Sequence, residues 1–237
     1  MTDNELLNNI QQINHRIEKA ALSAGRDPQE ISLLLATKTR SPELINRAIA
    51  LGYGLIGENR AQELVEKAPF LSKAQTAITP RETHFIGALQ GNKVNEVTAI
   101  ADCIQSVDRI RIARRINQYA LDHDLKRSIM IQVNSSRDPN KQGLMPEELP
   151  DFLKEMTNFS QLSIRGLMTI GLQSDDEMII RRGFAELKTL RDKMISEGLL
   201  AKTAIDLSMG MSQDLELAIL EGATIIRVGS DIFGARS

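Results

Sequence analysis

A single β/α barrel is the fold class this 237-residue chain predicts, on three observations. Eight short apolar segments recur along it, amphipathic stretches separate them, and one helical stretch precedes the first. Its length also suits one such barrel, which typically takes about 250 residues.

The leading stretch, residues 3–24, sets Leu6, Ile10, Ile13, Ile17, Ala20 and Ala21 at helical spacing near one stripe. Strand-like segments follow at 31–37, 54–57, 83–88, 103–107, 128–134, 163–170, 204–208 and 224–229. Turn or capping signals open several of the helical stretches between them: Ser41-Pro42, Asp108, Pro146-Glu147, Ser174-Asp175 and Ser212. Strand then helix, repeated, calls for parallel pairing with right-handed crossovers. The chain ends too soon after the last strand for a full eighth helix, so the leading helix is expected to cover the wall there. A doubly wound open sheet is the runner-up, which strand counting alone does not reject. Residues 1–237 are expected to form one domain.

Composition narrows the function classes. Charged residues make up 25% and apolar residues 42%, with no apolar run long enough for a membrane span or a signal peptide. A soluble, cytoplasmic protein is expected. The formal net charge of -2 argues against a general nucleic-acid binder. Arg109, Arg111, Arg114 and Arg115 read as the solvated face of a helix whose other face is Ile112, Ala113 and Ile116. The single cysteine, Cys103, excludes an internal disulfide framework and reads as a core residue. His15 and His123 fall in helices without a second ligand at helical spacing, so no metal is assigned.

Active sites of β/α barrels lie at the C-terminal ends of the strands, with phosphate often held after strands seven and eight. The first strand runs Leu33-Leu34-Leu35-Ala36-Thr37 into Lys38. A lysine there can simply leave the sheet for water. Lys38 alternates with Ala36 and Leu34, however, so if these face the interior its amine does too, where desolvation favours the neutral nucleophile. Lysine is the residue that forms imines with pyridoxal 5′-phosphate (PLP) or with carbonyl substrates. Ser208-Met209-Gly210-Met211-Ser212 and Gly229-Ser230-Asp231 end the last two strands at the phosphate corner. Arg227 interrupts the apolar run Ile225-Ile226-Arg227-Val228 and must find a partner or a ligand, Asp206 or Glu58 being the candidate partners. Set against the pyridine nitrogen of PLP, a guanidinium would disfavour protonation of that nitrogen and make the ring a poor electron sink.

Ordered motifs over nearly the whole chain after the first helix carry a family resemblance. They are Ala36-Thr37-Lys38-Thr39, Gly57-Glu58-Asn59, His84-Phe85-Ile86-Gly87, Lys141-Gln142-Gly143-Leu144, Arg165-Gly166-Leu167-Met168, Leu207-Ser208-Met209-Gly210, Arg227-Val228-Gly229-Ser230 and Ile232-Phe233-Gly234-Ala235-Arg236. The chain resembles the YggS/PROSC family of PLP-binding proteins associated with vitamin B6 homeostasis. That resemblance implies a fold-type III PLP barrel, similar to the N-terminal domain of alanine racemase, with Lys38 as the Schiff-base lysine. It implies further that Arg227 approaches the pyridine nitrogen, that Ser208, Gly229 and Ser230 hold phosphate, and that Asn59, His84 and Met168 line the ring pocket. Departures are small: Thr37 where serine is frequent, Ser230 where threonine is common, and Thr83 where an aromatic is usual.

Racemisation needs acid/base groups on both faces of the substrate carbon. Lys38 can serve one face, but the resembled racemases supply the other from a tyrosine on a further domain. Here the only tyrosines are Tyr53, just before the second strand, and Tyr119, in a helix. A PLP carrier or buffer is therefore expected, monomeric, handing PLP to apoenzymes or contacting regulatory proteins through the loop from Asn134 to Lys141. An amino-acid racemase or a Schiff-base aldolase is the alternative.

Overall fold

The computed structural model describes residues 1–234; Ala235 and Arg236 of the last family motif lie outside the described residues. Its eight parallel strands close into one barrel in chain order: β1 (Ser32–Ala36), β2 (Tyr53–Glu58), β3 (Thr79–Phe85), β4 (Cys103–Val107), β5 (Arg127–Gln132), β6 (Leu162–Met168), β7 (Asp206–Ser208) and β8 (Ile225–Val228). Pairing of β1 with β8 closes the ring, Leu34 standing opposite Arg227. The open sheet is thereby rejected.

Each predicted strand is present, the fourth with the expected ends and the others with shifted ones. The third begins earlier than its apolar run, at Thr79, because Thr79 pairs with Tyr53 and its hydroxyl accepts from the amides of Gly54 and Leu55. Polar side chains here still make a strand, since their backbone has a neighbour to bond.

The first helix, α1 (Asp3–Ser23), buries the predicted stripe and starts with a capping box between Thr2 and Glu5. Helices α2 (Pro42–Ala50), α3 (Ala61–Lys67), α4 (Val94–Ile100), α5 (Ile110–Asp122), α6 (Leu149–Met156), α7 (Glu177–Ser196) and α8 (Leu215–Leu220) follow strands one to seven; the short α9 (Ser230–Phe233) follows β8. As expected, α1 packs against α8 and α9, in the gap that a longer eighth helix would fill. Ser41 caps α2 with Pro42 behind it. The other signals lie close to the observed starts without being the caps: Arg109 holds the N-cap position of α5, Asp176 that of α7 and Asp214 that of α8, while a 3-10 turn at Pro146–Glu148 leads into α6.

The core has two compartments. The larger lies between strands and helices; a smaller one inside the barrel contains Leu34, Leu55, Ile86, Cys103, Met130, Met168 and Ile225. Burial pushes the Cys103 thiol well up, which suits the core role expected of it. On α5 the exposed Arg111 and Arg114 stand opposite buried Ile112, Ala113 and Ile116. Among the described residues, no helix is long and apolar enough to cross a membrane.

Candidate functional site at the C-terminal mouth of the barrel

A cleft of about 850 Å³ opens at the C-terminal ends of the strands. Lys38, Asn59, Arg227, Gly229 and Ser230 all line it. The alternation in β1 decides the direction of Lys38. Thr37 turns outward, its hydroxyl donating to Glu58 Oε1 at 2.6 Å, so the side chains on either side of it, Ala36 and Lys38, face the cleft.

The turn that holds Lys38 is braced from behind. Lys67 of α3 donates to Thr37 O at 2.9 Å, to Glu58 Oε1 at 2.7 Å and to Glu63 Oε2 at 2.8 Å. Glu63 also accepts from the Thr39 amide at 2.7 Å. Thr39 has φ 63°, a left-handed conformation that a β-branched residue rarely adopts, so the bonded surroundings impose it. Both residues flanking Lys38 are thus tied to one buried ionic cluster. Within it, burial raises the Glu58 carboxyl, whose Oε2 has no partner. Burial also opposes ionisation of Glu63, but its bonds from Lys67 and Thr39 outweigh that and lower it.

Arg227 forms part of the cleft floor and is 6% exposed. It pairs with neither Asp206 nor Glu58, the partners expected from sequence. Asp206 is taken by Arg165 and Glu58 by Lys67, while Arg227 donates to Ser208 Oγ at 2.7 Å and to Thr169 O at 2.8 Å. Desolvation lowers its pKa to about 10, against the more distant attraction of Asp214. Burial in turn raises the Asp214 carboxyl, despite the amide of Met211 donating to it. At the corner between β1 and β8, Gly229 keeps the walls close: a Cβ there would lie 2.9 Å from Ala36 O.

His84, Met168 and Ser208 lie beneath the cleft rather than on its wall. Met168 packs in the inner apolar compartment. Ser208 Oγ donates to Gln105 Oε1 at 2.6 Å, and the ring nitrogens of His84 meet Gln105 Nε2 and Glu82 Oε2, each at 2.7 Å. The Ser208 hydroxyl is therefore already committed inside the barrel. Gln105 and Glu82 were not singled out from the sequence. Parity could have found them, since Gln105 stands two residues after inward Cys103 and Glu82 two before His84. Asn59, expected at the ring pocket, does line the cleft, seated two residues beyond Gly57; Gly87 packs so closely on its backbone that a Cβ would lie 1.8 Å from Asn59 O.

The loop beginning at Asn134 is less available than expected. Asn134 and Ser135 are buried, Asn134 bonding Leu144 O and the Asp138 carbonyl, and the Lys141 ammonium bonds the carbonyl of Gly171 at the cleft rim. Tyr53 bonds Asn14 and Tyr119 stacks on His123; neither lines the cleft.

A closed parallel barrel with a lysine and a buried arginine at its C-terminal mouth defines the class, and residues 7–237 match the family model "Alanine racemase, N-terminal domain". Within that class the chain belongs to the YggS/PROSC family, whose curated members are named pyridoxal phosphate homeostasis protein. It is 36% identical to the one from Pasteurella multocida, over 96% of each chain. Among solved structures, an unknown protein from Bifidobacterium adolescentis is 37% identical, with TM-score 0.91 over 98% of this chain and 95% of its own. PipY of Synechococcus elongatus, solved with PLP bound, is 31% identical, with TM-score 0.79 over 92% of this chain and 100% of its own.

Proposed function

We propose that this chain binds PLP at the C-terminal mouth of its barrel, as a Schiff base on Lys38, and serves PLP homeostasis as a carrier without a dedicated reaction. One observation carries the reading: Lys38 and Arg227 face the same cleft, and among the described residues Arg227 bonds Ser208 Oγ and Thr169 O and no carboxylate. The donors present fit PLP group by group. An amine meets an aldehyde, a buried guanidinium meets the ring nitrogen, and Gly229 with Ser230 at the start of α9 meets phosphate. Ala36, Ile86 and Ile170 supply an apolar wall for the ring. PipY, solved with PLP, and relatives named for PLP homeostasis support the assignment.

Bound PLP would supply an aldehyde for the imine, its electron withdrawal kept weak by Arg227 at the ring nitrogen; the protein's contribution is retention. The carrier reading rests on the two tyrosines lying away from the cleft, which leaves Lys38 without a tyrosine opposite it. Asn59 lines the ring, while His84, Met168 and Ser208 act from the layer below. A cytoplasmic monomer that releases PLP to apoenzymes completes the proposal.

An absorbance spectrum before and after borohydride reduction, followed by peptide mapping, tests it. The expected result is an imine band, a reduced adduct on Lys38, loss of both in Lys38→Ala, and racemase and decarboxylase assays at background. Robust amino-acid turnover lost in the same variant would overturn the carrier reading. A lysine adduct with a sugar phosphate and no coloured cofactor would favour an aldolase.

A further inference from the structure

Six side chains form an unbroken file through the barrel interior: Arg227, Ser208, Gln105, His84, Glu82 and Arg165. It begins at the cleft floor and ends at half-buried Glu82 and Arg165, beside Asp206, the first residue of β7 and so toward the opposite mouth.

The proton inventory gives the file a direction. Arg227 Nη1 can only donate, so Ser208 Oγ accepts at 2.7 Å and spends its own proton on Gln105 Oε1 at 2.6 Å. The amide nitrogen of Gln105 then faces His84 Nδ1 at 2.7 Å and must donate to it. Nδ1 is therefore unprotonated, and the imidazole proton sits on Nε2, 2.7 Å from Glu82 Oε2. That oxygen also accepts from Arg165 at 2.7 Å. Every link from Arg227 to Glu82 points the same way. Reversing any one, by a flipped amide or a proton on Nδ1, sets two donors or two acceptors face to face in the buried interior.

We propose that this file is a positioning relay: Gln105 and His84 act through Ser208 to hold the Arg227 guanidinium as a donor toward the cleft, and a ligand on Arg227 is registered at His84. The relay deepens the PLP reading and rests on it for the identity of the ligand. Arg227 fills the role of direct contact; Gln105, His84 and Glu82 are positioning residues.

Nitrogen NMR on histidine-labelled protein freed of PLP tests the direction first. The expected result is the Nε2–H tautomer at His84; the Nδ1–H tautomer overturns the relay. PLP is then the probe. Gln105→Leu is expected to weaken PLP binding by about tenfold and to displace the imine absorbance. Combined with Arg227→Gln, it is expected to add nothing further. Additive losses with an unmoved absorbance overturn the relay. Should Gln105→Leu fail to fold, Glu82→Gln at the far mouth replaces it. Shifts of the His84 nitrogens and of the imine absorbance support the relay, and an unmoved absorbance overturns it. If wild-type protein takes up no PLP, the functional reading fails, and the tautomer together with the effect of Glu82→Gln on His84 decides the relay alone.

Discussion

Two buried polar arrangements serve the same cleft by different physics. Behind β1, the cluster of Glu58, Lys67 and Glu63 is ionic and ties down the backbone on both sides of Lys38. Inside the barrel, Ser208, Gln105 and His84 link Arg227 to a carboxylate at the far end. Charges packed together pin a rigid turn but leave large penalties when one is removed. The file reaches Arg227 through a hydroxyl and an amide, so its carboxylate lies at the far end and does not compete with a ligand for Arg227. Of the two buried side-chain oxygens without a partner among the described residues, Glu58 Oε2 sits in the ionic cluster and Ser106 Oγ on β4, and neither belongs to the file.

The contrast can be broken at the ionic cluster first. Lys67→Met leaves Glu58 buried and uncompensated, and should cost about 3–5 kcal/mol in urea unfolding. Glu58→Gln should cost clearly less, since it removes the charge whose burial is opposed. Equal costs for the two would show that Lys67 does not neutralise Glu58.

At the end of the file the expected effect is smaller and depends on pH. The hydrogen bond from His84, with the charge and hydrogen bond of Arg165, holds the Glu82 carboxyl down to about 2 from its ordinary 4.5, although burial opposes this. A depressed carboxyl stabilises the fold above its unfolded pKa and loses that contribution as pH falls through the folded one. Allowing for the solvent that reaches Glu82, the contribution is about 2 kcal/mol, present at neutral pH and gone near pH 2. Wild type and Glu82→Gln should therefore differ in urea midpoint at neutral pH and converge in acid; a constant gap would deny the ionic end of the file.

The smallest effect belongs to the turn that the ionic cluster holds. Asparagine tolerates the left-handed region better than a β-branched residue, so Thr39→Asn should raise the melting temperature by the equivalent of under about 1 kcal/mol. A loss of stability would mean that the threonine methyl or hydroxyl contributes more than the strain removes.

Much of this site was legible because it sits on strands. Lys38 and Arg227 announce themselves as charges at the end of, or within, apolar runs, and strand parity says which way they point. Gly229 and Ser230 follow from the turn after the last strand. Gln105 and Glu82 escaped, since a polar residue in a strand reads equally well as a solvent-facing one. His84, Met168 and Ser208 entered through the family resemblance, but alternation states only that they face inward, not how deep they lie.

By itself the sequence determined the eight strands, the leading helix and the candidate lysine, because these depend on periodicity and on the type of residue at a strand end. Only the tertiary structure decided the closure of β8 on β1, the pairing of Arg227 with Ser208 and Thr169 O in place of Asp206 or Glu58, and the file through His84. Those depend on strand stagger around a closed ring, which brings residues more than a hundred positions apart, such as Gln105 and Ser208, within one hydrogen bond. Local pattern does not encode that stagger; the packing of the whole barrel does.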